Sequence, residues 1–149
     1  MRVFYLLLFA FWIKPMSSQS VYVELLGKGF VNSVNYEHAL TKKIFGLKIQ
    51  AGIGFAPSSF ISVPVTVSQV FGKKNNHLEV GVGGTYVNGF LWLDDDSFGP
   101  DVSAHAVVYY RYQKPDGRLI FKIGVTPFIG DDLQTGMWFG TGIGYAFKK

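Results

Sequence analysis

Residues 137–147 read Met-Trp-Phe-Gly-Thr-Gly-Ile-Gly-Tyr-Ala-Phe, and large and tiny residues alternate along them with hardly a break. Met137, Phe139, Ile143, Tyr145 and Phe147 are bulky and apolar, with Thr141 the exception, whereas Gly140, Gly142, Gly144 and Ala146 are minimal. A period of two belongs to a β-strand, whose successive side chains point to opposite faces. The two faces here differ in size more than in polarity. A narrow closed barrel asks for that difference, because its lumen is crowded while its outside is free to carry bulk. The stretch therefore reads as a strand with glycine facing in and apolar bulk facing lipid.

Seven further segments alternate in the same way, at residues 21–26, 31–40, 45–55, 61–71, 78–87, 104–112 and 119–128, with turn residues between them. None sustains a 3.6-residue period, so essentially no helix is expected. Strands of about 9 to 11 residues suit a tilted membrane crossing. The first is short by that standard and is expected to continue into Gly27-Lys28-Gly29. At 149 residues the chain is one domain, with no Gly/Pro linker or low-complexity run to divide it.

Residues 1–20 stand apart. An apolar run at 3–13 follows Arg2 and precedes Lys14-Pro15, and Ser18 and Ser20 place small residues at −3 and −1 of a cut before Val21. The run is too short to span a bilayer core of about 30 Å as a helix, but it has the length of a signal-peptide core. Residues 21–149 are then the mature domain. Losing Arg2 and Lys14 lowers the formal net charge of +4 by two, and the remaining cations form no stripe, so no nucleic-acid partner is expected. With no cysteine, disulfides and thiolate metal sites are excluded.

The outward face predicted from the alternation carries Leu47, Ile49, Ile53, Val63, Val65, Val67, Val80, Val82, Val108, Ile123 and Val125 at mid-depth. Tyr36, Phe45, Phe71, Tyr110, Tyr112 and Tyr145 fall at one end, and Phe55, Tyr86 and Phe139 at the other, as two belts of interfacial rings would. In a soluble sandwich the apolar side would be the core. The opposite faces would then meet water with mostly Gly, Ser and Thr rather than Lys and Glu, which argues against it.

The closing segment also resembles the last strand of bacterial outer-membrane β-barrels, which ends in an aromatic residue read by the assembly machinery. Tyr145 and Phe147 match that pattern; Lys148 and Lys149 depart from it by following the aromatic. Over residues 21–149 the pattern is similar to the small OmpA- and OmpX-type barrels. The resemblance implies an eight-stranded, antiparallel, up-and-down transmembrane barrel in the outer membrane, monomeric, without cofactor, its partners being outer-membrane lipid and the assembly machinery. With an even strand number both chain ends of the barrel lie on the periplasmic side, so the connections at 27–29, 56–60, 88–103 and 129–136 face outward. Six of the seven aspartates (Asp94, Asp95, Asp96, Asp101, Asp131 and Asp132) fall in those loops, while the turns at 41–43, 72–76 and 113–118 are rich in lysine. The long loop, with Phe90, Trp92 and the Asp94-Asp95-Asp96 run, is the candidate surface for interaction with other molecules.

Glu24, Glu37 and Glu79 lie on the inward face, as do Lys48, Arg111 and Lys122. Buried charges require partners, so these six are expected to form a salt-bridge network near the periplasmic end that plugs the lumen. A proton or ion relay is the competing use of the same residues. Glycines 52, 54, 81, 83, 124, 140, 142 and 144 suggest a water-filled vestibule above the plug.

Other chemistry finds little support. His38, His77 and His105 fall on different strands and faces, against a shared metal. His105 with Ser103 and a glutamate would suit a lipid A or phospholipid hydrolase, yet no motif accompanies them. Asp94-Asp95-Asp96 begins like a calcium loop, but Phe98 stands where an oxygen ligand is needed. Gly140-x-Gly142-x-Gly144 lacks the helix of a phosphate loop. An envelope barrel with a structural or surface-interaction role is therefore expected, and not an enzyme. A lipid-modifying enzyme, a small-solute pore and a soluble lipocalin-like carrier are the alternatives.

Overall fold

A computed structural model describes residues 19–41, 44–56, 60–89, 101–129 and 136–147. Eight strands follow one another: β1 (Gln19–Gly27), β2 (Phe30–Ala39), β3 (Gly46–Ala56), β4 (Phe60–Lys73), β5 (Asn76–Gly89), β6 (Asp101–Tyr112), β7 (Leu119–Ile129) and β8 (Gly136–Phe147). Each pairs antiparallel with the next, and β1 pairs with β8, so the sheet closes on itself without an edge. The chain is an eight-stranded, closed, antiparallel up-and-down barrel. Three short connections and the chain ends of β1 and β8 lie at one end, called here the turn end; the opposite one is the loop end.

Side chains alternate across the wall along every strand. Ile53 (61% exposed), Val82 (67%) and Ile123 (61%) are among an exterior of exposed aliphatic residues, and Tyr36, Phe45, Phe71, Tyr110 and Tyr145 are exposed toward the turn end. Val125 is only half-buried rather than fully outward. Strand ends agree with the sequence periodicity to within three residues, and the early start of β1 bears on the expected cut. That strand starts at Gln19, two residues before the expected cut, where Gln19 and Ser20 pair with His38 and Glu37 on one side and Phe147 and Ala146 on the other.

Among the described residues the alternation breaks beside the first connection. Leu25 and Leu26 are both exposed, Leu26 takes a left-handed φ of 52°, and the ladder passes from the Leu25↔Asn32 pair directly to Gly27↔Phe30. The register is unchanged across the gap, one residue being skipped on each strand, and Phe30 is left-handed as well, with φ of 67°. These two positions turn the tip of the hairpin and reverse which residues beyond them face in. Lys28 and Phe30 consequently point into the barrel, 1% and 7% exposed.

Buried side chains line the lumen from the turn end to the loop end. At the loop end Phe30 stacks on Phe128 (ring centroids 4.7 Å apart) and meets Trp138 edge-on at 5.6 Å, with Val87 completing an apolar cluster. This replaces the water-filled vestibule expected there. Three of the inward glycines make room for rings: a Cβ on Gly124 or Gly140 would run into Tyr109, and one on Gly144 into Tyr22.

Candidate functional site

Five of the six lumen charges picked out by alternation meet in one network, and its centre is Glu37 on β2. Arg111, on β6 across the barrel, grips that carboxylate with both terminal nitrogens at 2.8 Å, a bidentate geometry suited to the planar guanidinium. Lys48 donates to Glu37 at 2.9 Å and Lys122 at 3.0 Å, while Ser20 adds a hydroxyl bond at 3.0 Å. Glu79 on β5 takes Lys122 at 3.0 Å and Arg111 at 3.2 Å, and receives Ser68 at 3.1 Å.

Neutral groups complete the shell. Gln50 donates its amide to Glu37, Ser68 and Glu79, and its carbonyl accepts from Tyr22 at 2.7 Å. Arg111 also donates to the Gln113 carbonyl, from Nη2 at 2.7 Å and from Nε at 3.0 Å. Glu37, Glu79, Lys48 and Arg111 are wholly buried. Burying ions is costly unless charge and hydrogen bonds compensate. Two carboxylates against three cations meet that requirement through ties running across the lumen, every ion but Lys48 having several partners.

Glu24 does not join this group. It lies higher, 3.9 Å from the Nζ of Lys28, which also donates to Tyr22 and Gln50 and sits 4.9 Å from the Tyr22 ring centre. The alternation places Lys28 in an outward loop; its lumen position follows from the left-handed Leu26 and Phe30, which turn the β1–β2 tip inward. The Leu25-Leu26 pair, two large apolar residues in a row ahead of Gly-x-Gly, was the signal that could have revealed it.

His77 and His105 both point inward, against the expectation of different faces. His105 lies between Thr66 (2.8 Å to Nε2) and Thr85 (3.0 Å to Nδ1), beside Phe128. Both ring nitrogens thus meet threonine hydroxyls. Tyr145 and Phe147 are exposed on the end of β8, their rings 5.4 Å apart edge to face. Phe90, Trp92, Asp94, Asp95 and Asp96 lie outside the described residues.

No protein-family model matches the chain. No curated protein matches it either. Among solved structures it is similar to the N-terminal β-barrel domain of Pseudomonas aeruginosa OprF, with a TM-score of 0.65 over 89% of this chain and 98% of that one, at 14% identity. The outer membrane enzyme PagL is a more distant match, with a TM-score of 0.46 over 89% of this chain and 100% of that one, at 10% identity. The fold is that of a small outer-membrane β-barrel.

Proposed function

We propose that this protein is an integral outer-membrane barrel with a closed lumen and a non-enzymatic role in envelope structure or surface interaction. One observation carries the reading: the polarity is inverted relative to a soluble barrel. The exterior is a band of exposed Val, Ile, Leu and aromatic residues, and the interior holds the ion network. An apolar band flanked by aromatic girdles around a polar lumen is what lipid selects. The surface role is assigned to the connection between β5 and β6, where Phe90 and Trp92 precede Asp94-Asp95-Asp96.

Fractionation with an unboiled gel tests the placement, because small barrels resist SDS until heated. A protein found in the soluble fraction, with no change of mobility on heating, would refute it. Planar-bilayer recording tests the closed lumen. Eight strands leave an interior that side chains can fill, so the purified protein is expected to show no steady conductance. A persistent open level would move the assignment to small-solute passage.

Residues 1–20 act, in this proposal, as a leader removed on export. Cleavage acts on the unfolded chain, so the small residues Ser18 and Ser20 set the cut before Val21, even though Ser20 would bond to Glu37 if retained. The intact mass of the mature protein should begin at Val21. A mass that includes Gln19 and Ser20 would overturn the assignment of the cut.

A further inference from the structure

At the turn end two hairpin tips lie side by side. The β4–β5 hairpin turns through Lys74 and Asn75, and the Asn75 carbonyl accepts a bond of 2.9 Å from the backbone N–H of Gln113, which opens the β6–β7 connection. Lys73, Lys74, Lys114 and Arg118 are all exposed on these two tips, with Asp116 their one acid. Arg118 is held by a 2.7 Å bond to the Tyr145 hydroxyl, level with the exposed rings of that end.

Next to Lys73, on the outward face, is a shallow, almost wholly apolar groove of about 330 Å³. Phe71, Leu78 and Tyr110 form its walls, and Gly72, Asn76 and His77 complete it. The Tyr110 hydroxyl donates to Asn76 at 2.6 Å, which fixes one wall. Lys73 pairs with Asn76 two steps nearer the tip than the Phe71↔Leu78 pair, and so on the same face, which sets a cation at the mouth of a slot for hydrocarbon.

Cations above an apolar slot match an amphiphile with an anionic head and an alkyl tail. We propose that this corner of the barrel is a docking site for an anionic phospholipid, its phosphate held among Lys73, Lys74, Lys114 and Arg118 and one acyl chain lying between Phe71, Leu78 and Tyr110. The proposal rests on the reading that the barrel spans a bilayer. Four cations against one acid favour a net negative headgroup over a zwitterionic one, by about fivefold in partitioning for each cation that comes close.

The test uses the mature protein reconstituted in vesicles of equal parts phosphatidylcholine and phosphatidylglycerol, beside the charge-reversed variant Lys73→Glu/Lys74→Glu/Arg118→Glu and the groove variant Leu78→Ser. Heat-dependent gel mobility reports insertion, and mass spectrometry of the extracted protein identifies the lipids it retains. The unaltered protein should insert and retain phosphatidylglycerol over phosphatidylcholine by about tenfold or more. The charge-reversed variant should insert equally well and lose that preference, while Leu78→Ser should retain less of either lipid.

Equal retention of both lipids by inserted, unaltered protein would overturn the docking site while leaving the membrane reading intact. So would an unchanged preference in the inserted charge-reversed variant, or stronger retention of added lipid A than of phosphatidylglycerol. Failure of the unaltered protein to insert would overturn both readings.

Discussion

Glu37→Gln is expected to destabilise the barrel by about 3–5 kcal/mol, the cost of stripping one partner from a buried charge cluster. Glu37 anchors Lys48, Arg111 and Lys122 at once, and its side chain is fully buried. The amide keeps the size and some hydrogen bonding but loses the charge, so three cations would share Glu79 alone. Urea unfolding of the reconstituted protein measures the loss. Lys48→Met combined with Glu37→Gln should recover part of it, because one of the orphaned cations is then gone, and the double-mutant cycle isolates their coupling. A Glu37→Gln protein as stable as the original would show that the cluster contributes nothing net to holding the walls together.

Ile123→Arg should block insertion or cost about 2–4 kcal/mol where insertion still occurs, the penalty for a cation on the lipid face at mid-membrane. Ile123 is 61% exposed at the middle of β7, paired with Tyr110 and Thr141. Thr126, three residues on, faces the lumen with no exposure and bonds Tyr109 at 2.7 Å. Thr126→Ser retains that hydroxyl and should insert normally. Heat-modifiable mobility after refolding into lipid separates the two, and equal behaviour would mean that the outer face is not lipid-facing.

Much of this architecture was legible because each strand carries its own period-two record of inside and outside. Ile123 and Lys122 are neighbours with opposite destinations, and alternation alone sorts them. The network was legible for the same reason: Glu37, Lys48, Glu79, Arg111 and Lys122 could be assigned to one compartment without knowing the register. What alternation could not supply was the break in its own phase. Leu26 in a left-handed conformation shifts Lys28 from a loop into the lumen, where it reaches Glu24, Tyr22 and Gln50. Glycine was misread on different grounds. An absent side chain says that space exists at one point of the wall and not what enters it, and Tyr22 and Tyr109 belong to other strands.

The inward side of β8 carries Trp138, Gly140, Gly142, Gly144 and Ala146, without a single charge, whereas β2, β3, β5, β6 and β7 each contribute an ion to the lumen cluster. Side-chain ties therefore lash together most of the circumference but not the strand that completes it. Along the β1–β8 seam, Tyr22 pairs opposite Gly144 and lies over it, a knob against a bare stretch of backbone. A slip of one residue would turn β8 inside out and drive Ile143 or Tyr145 against that knob. The seam is thus keyed by shape, and if the cylinder is pulled apart it should unzip there first, leaving a curled eight-strand sheet with its ionic lashing intact.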